Sequence, residues 1–443
     1  MRATGLAVWP RSGLWRHGHY LRLWGAQGIS AFGSQITLLA LPLVAILTLD
    51  ATAFEVAALT AIEFVPFIFF GIPAGVWIDR LRRRPILVLT DIGRGASLLS
   101  IPVAYGLDAL TLPHLYAVGF VNGVLTVFFT LAYQAYVPSL VDREQLVEAN
   151  SKFEATETLA RLAGPASAGG LVALLSAPVA VLADALSFFA SGSLILSIKK
   201  PEASPNELQP TAQKRSSFAS ELRDGGRFAL QDRYVRSVLA TTALINIGFG
   251  LVWAILLVYA VRELDLSAGV VGVVLSAGEV GGLLGAATVS RLTTRAGPGP
   301  VIIGAAALFG PSLFLLAIAP QGTPLPFLVL GWALNSFAAV IYNSTTVGLR
   351  QARTPQRLQG RVVGFIRTIV WGVGPLGALL GGALAASAGL RFAMLVGAAI
   401  AFAAIIPALA SPLRSLHSMP EPAESEPEVL APLRVRAVDG ALP

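Results

Sequence analysis

The chain has 443 residues, of which 55% are hydrophobic and only 13% are charged, and its mean hydropathy is +0.70. Soluble globular domains carry about one-quarter charged residues, so this composition excludes an ordinary soluble protein and indicates a chain embedded in the lipid bilayer. The sequence contains no cysteine, which excludes disulfides, thiolate metal sites and thiol catalysis. We expect no metal centre and no cofactor.

A helix needs about 17 to 25 mainly apolar residues to cross about 30 Å of hydrocarbon, and twelve segments meet this requirement. They fall into two groups of six, which predicts an all-α integral membrane fold of twelve transmembrane helices in two pseudo-symmetric halves. We place them at 23–48, 56–78, 86–107, 113–137, 155–176 and 178–198, and then at 237–261, 267–290, 300–319, 325–349, 362–386 and 391–411.

The segments that join and flank these groups are polar. Residues 199–235 are rich in proline and charged residues, and 217–231 then becomes amphipathic at helical spacing, which predicts a linker with a short surface helix. Residues 419–443 lack any periodicity and favour disorder. We therefore divide the chain into an N-terminal tail (1–20), an N-terminal six-helix half (21–198), a linker (199–235), a C-terminal six-helix half (236–411) and a disordered tail (412–443).

Basic residues are distributed asymmetrically. The tails and the loops on their side hold 27 of the 32 Lys and Arg residues, the opposite loops hold 2, and the predicted spans hold the remaining 3. Because basic loops stay in the cytoplasm, we expect both termini there, in a multi-pass protein of a bacterial-type plasma (inner) membrane. This distribution accounts for the net charge of +7 without a nucleic-acid partner.

A basic turn follows the second predicted span, where 75–84 read GVWIDRLRRR, and a weaker copy, SRLTTR at 290–295, follows the eighth. The offset of 211 residues indicates two related halves, which is typical of transporters built from repeats. The string Gly-x-x-x-Asp-Arg-x-x-Arg-Arg resembles the signature of the major facilitator superfamily, whose usual form has Gly at the position of Arg82. Further matches to its macrolide and siderophore efflux branch lie at 149–151, 164–170, 184–188, 218–234, 360–364 and 374–382.

The resemblance implies a secondary transporter that exports a hydrophobic or amphiphilic small molecule, for example a macrolide-like drug, by alternating access and in exchange for protons. We expect a monomer. A narrow-specificity exporter of a siderophore or another secondary metabolite is the alternative within transport. A membrane-embedded lipid-handling enzyme or scaffold is disfavoured, because only the linker is long enough to hold extramembrane chemistry and no His or Cys cluster supports it.

The resemblance also implies that the basic turn latches the two halves on the cytoplasmic side, although the same residues could act as a topology signal alone. A Gly-Pro step recurs in the fifth and eleventh predicted spans at an offset of 210, either as an exchange motif of antiporters or as a kink that allows close packing. The latch residues are Gly75, Asp79, Arg80, Arg83, Arg84, Arg291 and Arg295, and the kink residues are Gly164, Pro165, Gly374 and Pro375.

Ionisable residues inside predicted spans are costly in lipid unless they meet water or a partner. Glu63 and Glu279 are our first candidates for proton coupling, and Asp184 and Asp91 follow them. For Asp184 a structural role is favoured, because the resemblance implies that the sixth span packs at the periphery of the fold.

Two pairs of opposite charge have helical spacing and favour a structural role. They are Asp91 with Arg94, and Glu157 with Arg161.

If the resemblance holds, polar and aromatic residues on the first, fourth, seventh and tenth spans face a central cavity, and a basic residue of the eleventh span either joins them or joins the latch. Each amide could equally bond a neighbouring helix. The cavity candidates are Gln27, Gln35, Asn122, Gln134, Asn246, Trp253, Asn335, Tyr342, Asn343 and Arg367.

Overall fold

The computed structural model describes residues 13–78, 80–200, 202, 218–418 and 420. Twelve apolar helical segments are long enough to cross a membrane, so the predicted all-α twelve-span fold is confirmed. The N-terminal half comprises α1 (Gly18–Leu43), α2 (Ala53–Ile78), α3 (Arg83–Gly106), α4 (Leu112–Leu140), α5 (Leu146–Leu175) and α6 (Ala177–Leu196), and the linker helix is α7 (Phe218–Gln231). The C-terminal half comprises α8 (Arg233–Val258), α9 (Ala268–Ala296), α10 (Pro298–Ala317), α11 (Leu325–Arg353), α12 (Gln359–Ala388), α13 (Leu390–Ala403) and α14 (Ile405–Leu409).

Two helix boundaries differ from the sequence prediction. Helix α5 begins well before residue 155, the predicted start, because polar residues continue the helix beyond its apolar part: Lys152 Nζ pairs with Glu148 Oε1 at 3.6 Å, one turn away. The last span breaks after Ala403 and resumes as α14. Pro407 explains the break, since it lacks an N–H group and its ring would crowd the Ala403 carbonyl.

The two halves share an irregular turn at matching places. Helices α1 and α8 both continue into a π-helical turn, Val44–Thr48 and Tyr259–Glu263 respectively. An aspartate with left-handed backbone follows each turn, with φ of +50° at Asp50 and +53° at Asp265. Aspartate tolerates this region better than most residues because its short side chain can bond locally. The halves are therefore related in backbone geometry as well as in their basic motifs.

The halves touch at one end of the bundle, which we call the opposite end and which carries the α1–α2 and α8–α9 turns. Here Arg262 Nη2 donates to Asp50 Oδ1 at 2.7 Å. Gly272 of α9 packs on the carbonyl of Pro165 in α5 so closely that a Cβ would overlap it. Glycine is thus required for this approach of the two backbones.

The other end, which carries α7 and which we call the linker end, is open between the halves. Glu154 lies two turns nearer the linker end than Arg161 on the same face of α5, and its side chain is 75% exposed. No described atom lies within 4 Å of the Cβ positions built on Gly75 of α2 and Gly364 of α12. The space between the halves is therefore closed at the opposite end and open at the linker end.

The linker helix α7 and a buried ion pair fix the linker end of the C-terminal half. Helix α7 packs on α12, where Asp224 Oδ2 accepts from Arg361 Nη1 at 2.8 Å. Asp232 caps α8 and also accepts from Arg353 Nε at 2.7 Å, with both side chains buried. Removing one partner of a buried ion pair leaves an uncompensated charge, so this pair holds α11 firmly against the start of α8.

Candidate functional site

A cavity of about 490 Å³ lies between the two halves, within the range of roughly 300–1,000 Å³ that small-ligand sites occupy. Its walls come from α1, α2 and α5 of one half and from α8, α9, α11 and α12 of the other. Most of the lining is apolar. Among the described residues, the charged ones that line the cavity are Arg161 and Glu279. The aromatic lining residues are Phe64, Phe67, Phe249, Trp253 and Trp332.

Three of these rings form a continuous aromatic wall in the C-terminal half. Phe249 and Trp253 lie one helical turn apart on α8 and stack at 6.0 Å between ring centroids. Trp332 of α11 stacks on Trp253 at 5.2 Å. Flat π faces of this kind attract both aromatic ligands and cations.

The Glu279 carboxylate of α9 is fixed in this aromatic wall. Its Oε1 accepts hydrogen bonds from Trp332 Nε1 at 3.1 Å and from Ser336 Oγ at 3.2 Å. Both bonds use the same oxygen, and no described residue forms a hydrogen bond with Oε2. The sequence analysis named Glu279 for proton coupling and missed its position beside the aromatic rings.

Arg161 faces this wall from α5 of the N-terminal half. Its Nη2 lies 3.2 Å from Glu154 Oε1, and its Nη1 lies 3.9 Å from Glu157 Oε1. The predicted partner, Glu157, is thus the more distant of the two. Because two glutamates of its own helix already balance Arg161, these residues and Glu279 together carry a net negative charge when ionised.

The two Gly-Pro steps lie on facing walls of the cavity. Pro165 of α5 and Pro375 of α12 both line it. Gly164 packs against the Gln35 side chain with no room for a Cβ, whereas the Cβ position of Gly374 is open. The first step therefore packs closely against α1 at its glycine, whereas the second leaves open space at its glycine.

Glu63 occupies a different environment from Glu279. It does not line the cavity, and its side chain lies against Gly119 of α4. No hydrogen bond or ion pair reaches its carboxyl group from the described residues. From the sequence, the two glutamates are equivalent candidates for proton coupling. In the structure, only Glu279 lies where a ligand between the halves can reach it.

Of the cavity candidates named from the sequence, Gln35, Asn246 and Trp253 line the cavity. Asn335 instead bonds Ser312 on α10, and Tyr342 lies within hydrogen-bond distance of Thr242 on α8, so both hold helices together. The other five candidates, Gln27, Asn122, Gln134, Asn343 and Arg367, are not among the residues that line this cavity.

Phe249 and Trp332 were not predicted. Phe249 lies four residues before Trp253, so helical spacing could have identified it. Trp332 could be identified only once the rotation of α11 about its axis is known. That rotation places Asn335 against α10 rather than in the cavity.

A second group of ionisable side chains is buried within the N-terminal half, away from the cavity. Arg94 and Asp91 of α3 form an ion pair through Nη2 and Oδ1, and Ser191 Oγ of α6 donates to Asp91 Oδ2 at 2.7 Å. The Arg94 guanidinium lies 4.1 Å from the ring centroids of both Phe129 and Phe188. These contacts fix α3 against α4 and α6, while Arg94 Nε is buried without a described hydrogen-bond partner.

The described residues of the proposed latch do not come together in a single cluster. Asp79 lies outside the described residues. Arg83 Nη1 pairs with Glu202 Oε1 at 3.4 Å, and the same carboxylate accepts the backbone N–H groups of Arg83 and Arg84, which stabilises the start of α3. Arg84 also donates to the last carbonyls of α6, those of Ile195 and Leu196. The turn is thus anchored to the end of the N-terminal half.

The remaining latch residues form no contact between the halves in this conformation. Arg80, Arg291 and Arg295 are exposed, with no ion pair to any described side chain. Gly75 lies on α2 with open space around its Cβ position.

Residues 13–440 match the family described as transmembrane secretion effector. Among characterised proteins, the chain is similar to the multidrug efflux pump Tap of Mycolicibacterium fortuitum, with 26% identity over 374 residues that cover 81% of this chain and 87% of that protein. It is also similar to macrolide efflux protein A of Streptococcus pyogenes, with 23% identity over 224 residues, or 50% of this chain and 53% of that protein.

Solved structures share the fold. A bacterial homologue of the iron transporter ferroportin in an inward-facing state superimposes with a TM-score of 0.70 at 18% identity, covering 88% of this chain and 98% of that one. The nucleoside transporter NupG gives a TM-score of 0.68 at 15% identity, covering 88% of this chain and 98% of that one. The family match, the relatives and the fold agree: the chain belongs to the transmembrane secretion effector family and is a multi-pass membrane transporter of the efflux branch of the major facilitator superfamily, not an enzyme.

Proposed function

We propose that this chain exports positively charged amphiphilic small molecules by alternating access, in exchange for protons. The observation that carries the proposal is the Glu279 carboxylate, which Trp332 and Ser336 hold within the aromatic wall of a cavity between the two halves. An amphiphilic cation would place its apolar body against the rings and its charge near Glu279 Oε2. In a site of low dielectric constant this attraction is stronger than in water.

The charge balance of the cavity supports a cation rather than an anion. Arg161 is its one lining cation among the described residues, and Glu154 and Glu157 already pair with it. An anionic siderophore would have to displace these glutamates and would meet Glu279 on the facing wall. The names of the relatives, a multidrug pump and a macrolide pump, favour drug-like cargo.

The distribution of basic residues supports a cytoplasmic linker end, and with it both termini. In that orientation the cavity opens to the cytoplasm, which is the state in which an exporter loads its cargo. Because the chain lacks cysteine, single cysteines can test this directly. An impermeant maleimide added to intact cells should label Asp108→Cys and not Gln356→Cys, both at exposed positions. The reverse pattern would overturn the orientation.

Transport can be tested with the purified full chain in liposomes. The probes are three fluorescent amphiphiles of similar size that are cationic, neutral and anionic, each with and without a pH gradient. We expect gradient-driven accumulation of the cationic probe, proton movement in the opposite direction, and loss of both in Glu279→Gln. Preference for the anionic probe, or accumulation that ignores the gradient, would contradict the proposal.

A further inference from the structure

A buried charge cluster in the N-terminal half has no role in cargo binding. It consists of Asp91 and Arg94 of α3 and Asp184 of α6, whose relative exposures are 0%, 3% and 1%. None of the three lines the cavity. The charged groups that face Asp184 are Arg94 and Asp91 of α3. From α1, the neighbouring group is the uncharged Thr37 hydroxyl.

The charges of this cluster do not balance when all three groups are ionised. Two carboxylates face a single guanidinium, which leaves one excess negative charge inside a membrane-spanning half. A net buried charge is costly, whereas a neutral ion pair with satisfied hydrogen bonds is tolerated. One bound proton would make the cluster neutral.

The hydrogen bonds indicate which carboxyl group holds that proton. Both oxygens of Asp91 are used, Oδ1 by Arg94 and Oδ2 by Ser191. Asp184 Oδ1 accepts from Ser187 Oγ at 2.9 Å, but its Oδ2 is buried without a described hydrogen-bond partner. The Thr37 hydroxyl is buried beside the Asp184 carboxyl group, at a distance longer than an ordinary hydrogen bond. A proton on Oδ2 would give Asp184 a donor for an acceptor such as Thr37 Oγ1.

Helix α1 connects this cluster to the cavity. Gly33 packs so closely on Asp184 and Ser187 that it has no room for a Cβ, and Thr37 follows one turn later on the same face. Gln35 and Leu38 on the other face line the cavity. A change of charge at Asp184 therefore acts on a helix that also contacts cargo.

The buried cluster lies close to a surface groove. A groove of about 520 Å³ runs along α1, and its lining includes Trp24 near the linker end together with Gly33 and Ser187. Gly33 and Ser187 both lie beside the Asp184 carboxyl group. Asp184 itself does not line this groove, whose walls are mostly apolar.

We propose that Asp184, held beside the Asp91–Arg94 pair, is the proton-binding site of this transporter, and that proton release changes the packing of α1 and thereby the cavity. The inference rests on the proposed proton antiport. It places the carboxyl group that attracts cargo in the C-terminal half and the carboxyl group that binds the proton in the N-terminal half.

The test uses the purified full chain with Asp184→Asn, which keeps the shape and a donor for Thr37 but cannot titrate. We expect loss of the infrared band of one protonated carboxyl group, loss of gradient-driven accumulation of the cationic probe, and unchanged probe binding and probe exchange at equal pH. Glu63→Gln is the matched control, because it also removes a carboxyl group outside the cavity; it should keep gradient-driven accumulation. Ser187→Ala should shift the pH dependence of transport without abolishing it.

The outcomes separate the two proposals. If Asp184→Asn retains the infrared band, or accumulates the probe like the wild type, Asp184 is not the proton site. If the wild type itself ignores the pH gradient while the band disappears in Asp184→Asn, the antiport proposal fails and the proton site stands. If Glu63→Gln alone abolishes the gradient dependence, the assignment passes to Glu63 and the inference is overturned.

Discussion

The two halves share a backbone design but place their membrane carboxyl groups in opposite surroundings. In the C-terminal half, Glu279 faces the cavity among aromatic rings and keeps one oxygen free. In the N-terminal half, Asp91 and Asp184 lie away from the cavity beside a buried arginine. A ligand in the cavity can therefore reach Glu279, whereas the two aspartates lie outside the cavity lining.

This difference has a consequence for the mechanism of exchange. If cargo and proton bind at separate carboxyl groups, direct competition at one site cannot couple them. Coupling then requires a structural element that contacts both sites and whose equilibrium both ligands bias. Helix α1 is that element in our proposal, since Gly33 contacts the cluster and Gln35 lines the cavity.

The largest effect is expected from removing the buried arginine. Arg94→Gln leaves two buried carboxyl groups without a counterion, and breaking such a pair destabilises a protein by about 3–5 kcal/mol. The matched control is Arg161→Gln in the cavity, where solvent screens the pair and the cost should stay below about 1 kcal/mol. Chemical unfolding of both purified variants measures the difference. Equal stability of the two would show that the N-terminal cluster is not effectively buried.

A smaller effect is expected when Glu279 of the cavity loses its charge. Glu279→Gln keeps a hydrogen-bond acceptor for Trp332 and Ser336 but removes the charge. Contacts to charged groups contribute about 1.5–3 kcal/mol, so binding of the cationic probe should weaken by roughly 10- to 100-fold, while a neutral probe of similar size should bind as before. Fluorescence titration of both probes checks this. Equal weakening for both would indicate a general distortion of the cavity.

A comparison of corresponding turns predicts a gain in stability. Ser176, between α5 and α6, has φ of +114°, and the corresponding turn of the C-terminal half has Gly389 at +92°. A residue with a side chain is strained there by about 1 kcal/mol or more. Ser176→Gly should therefore raise the free energy of unfolding by about 1 kcal/mol, and Gly389→Ser should lower it. An unchanged unfolding midpoint in both would mean that the turns relax without strain.

The smallest effect is expected at the opposite end of the bundle. The Asp50–Arg262 pair joins the halves there, but Asp50 is almost fully exposed, and exposed ion pairs contribute little. In a Leu38→Cys background, Asp50→Asn should increase maleimide labelling of the cavity from the opposite end by roughly fivefold at most. Asp108→Asn, an exposed aspartate at the same end, is the control and should have no effect.

The sequence predicted much of the fold because a membrane imposes a simple rule on it. Apolar segments of fixed length must form helices that satisfy their own backbone groups, so counting them predicts twelve spans. Counting apolar residues does not give the helix boundaries correctly in two places. One is the polar start of α5, which extends past the hydrocarbon, and the other is Pro407, which interrupts a helix that remains apolar.

The candidate site was only partly predictable. Gln35, Asn246 and Trp253 were assigned to the cavity from the sequence and do line it. The environments of Glu63 and Glu279 were not predictable, since each is the one glutamate of its predicted span and they differ only in which helix face meets a neighbour. The cap that Glu202 provides for α3 also escaped prediction, because its partners lie more than a hundred residues earlier in the chain.

By itself, the sequence determined the membrane class, the number of spans, the two-half repeat and the family, because these depend on composition, periodicity and local motifs. Only the tertiary structure decided which charges face the cavity, which are paired and which are buried. Those outcomes depend on the rotation of each helix about its axis. Packing against several neighbours sets that rotation, and a turn of one residue, about 100°, is enough to move a carboxyl group such as that of Glu279 from the cavity to the lipid.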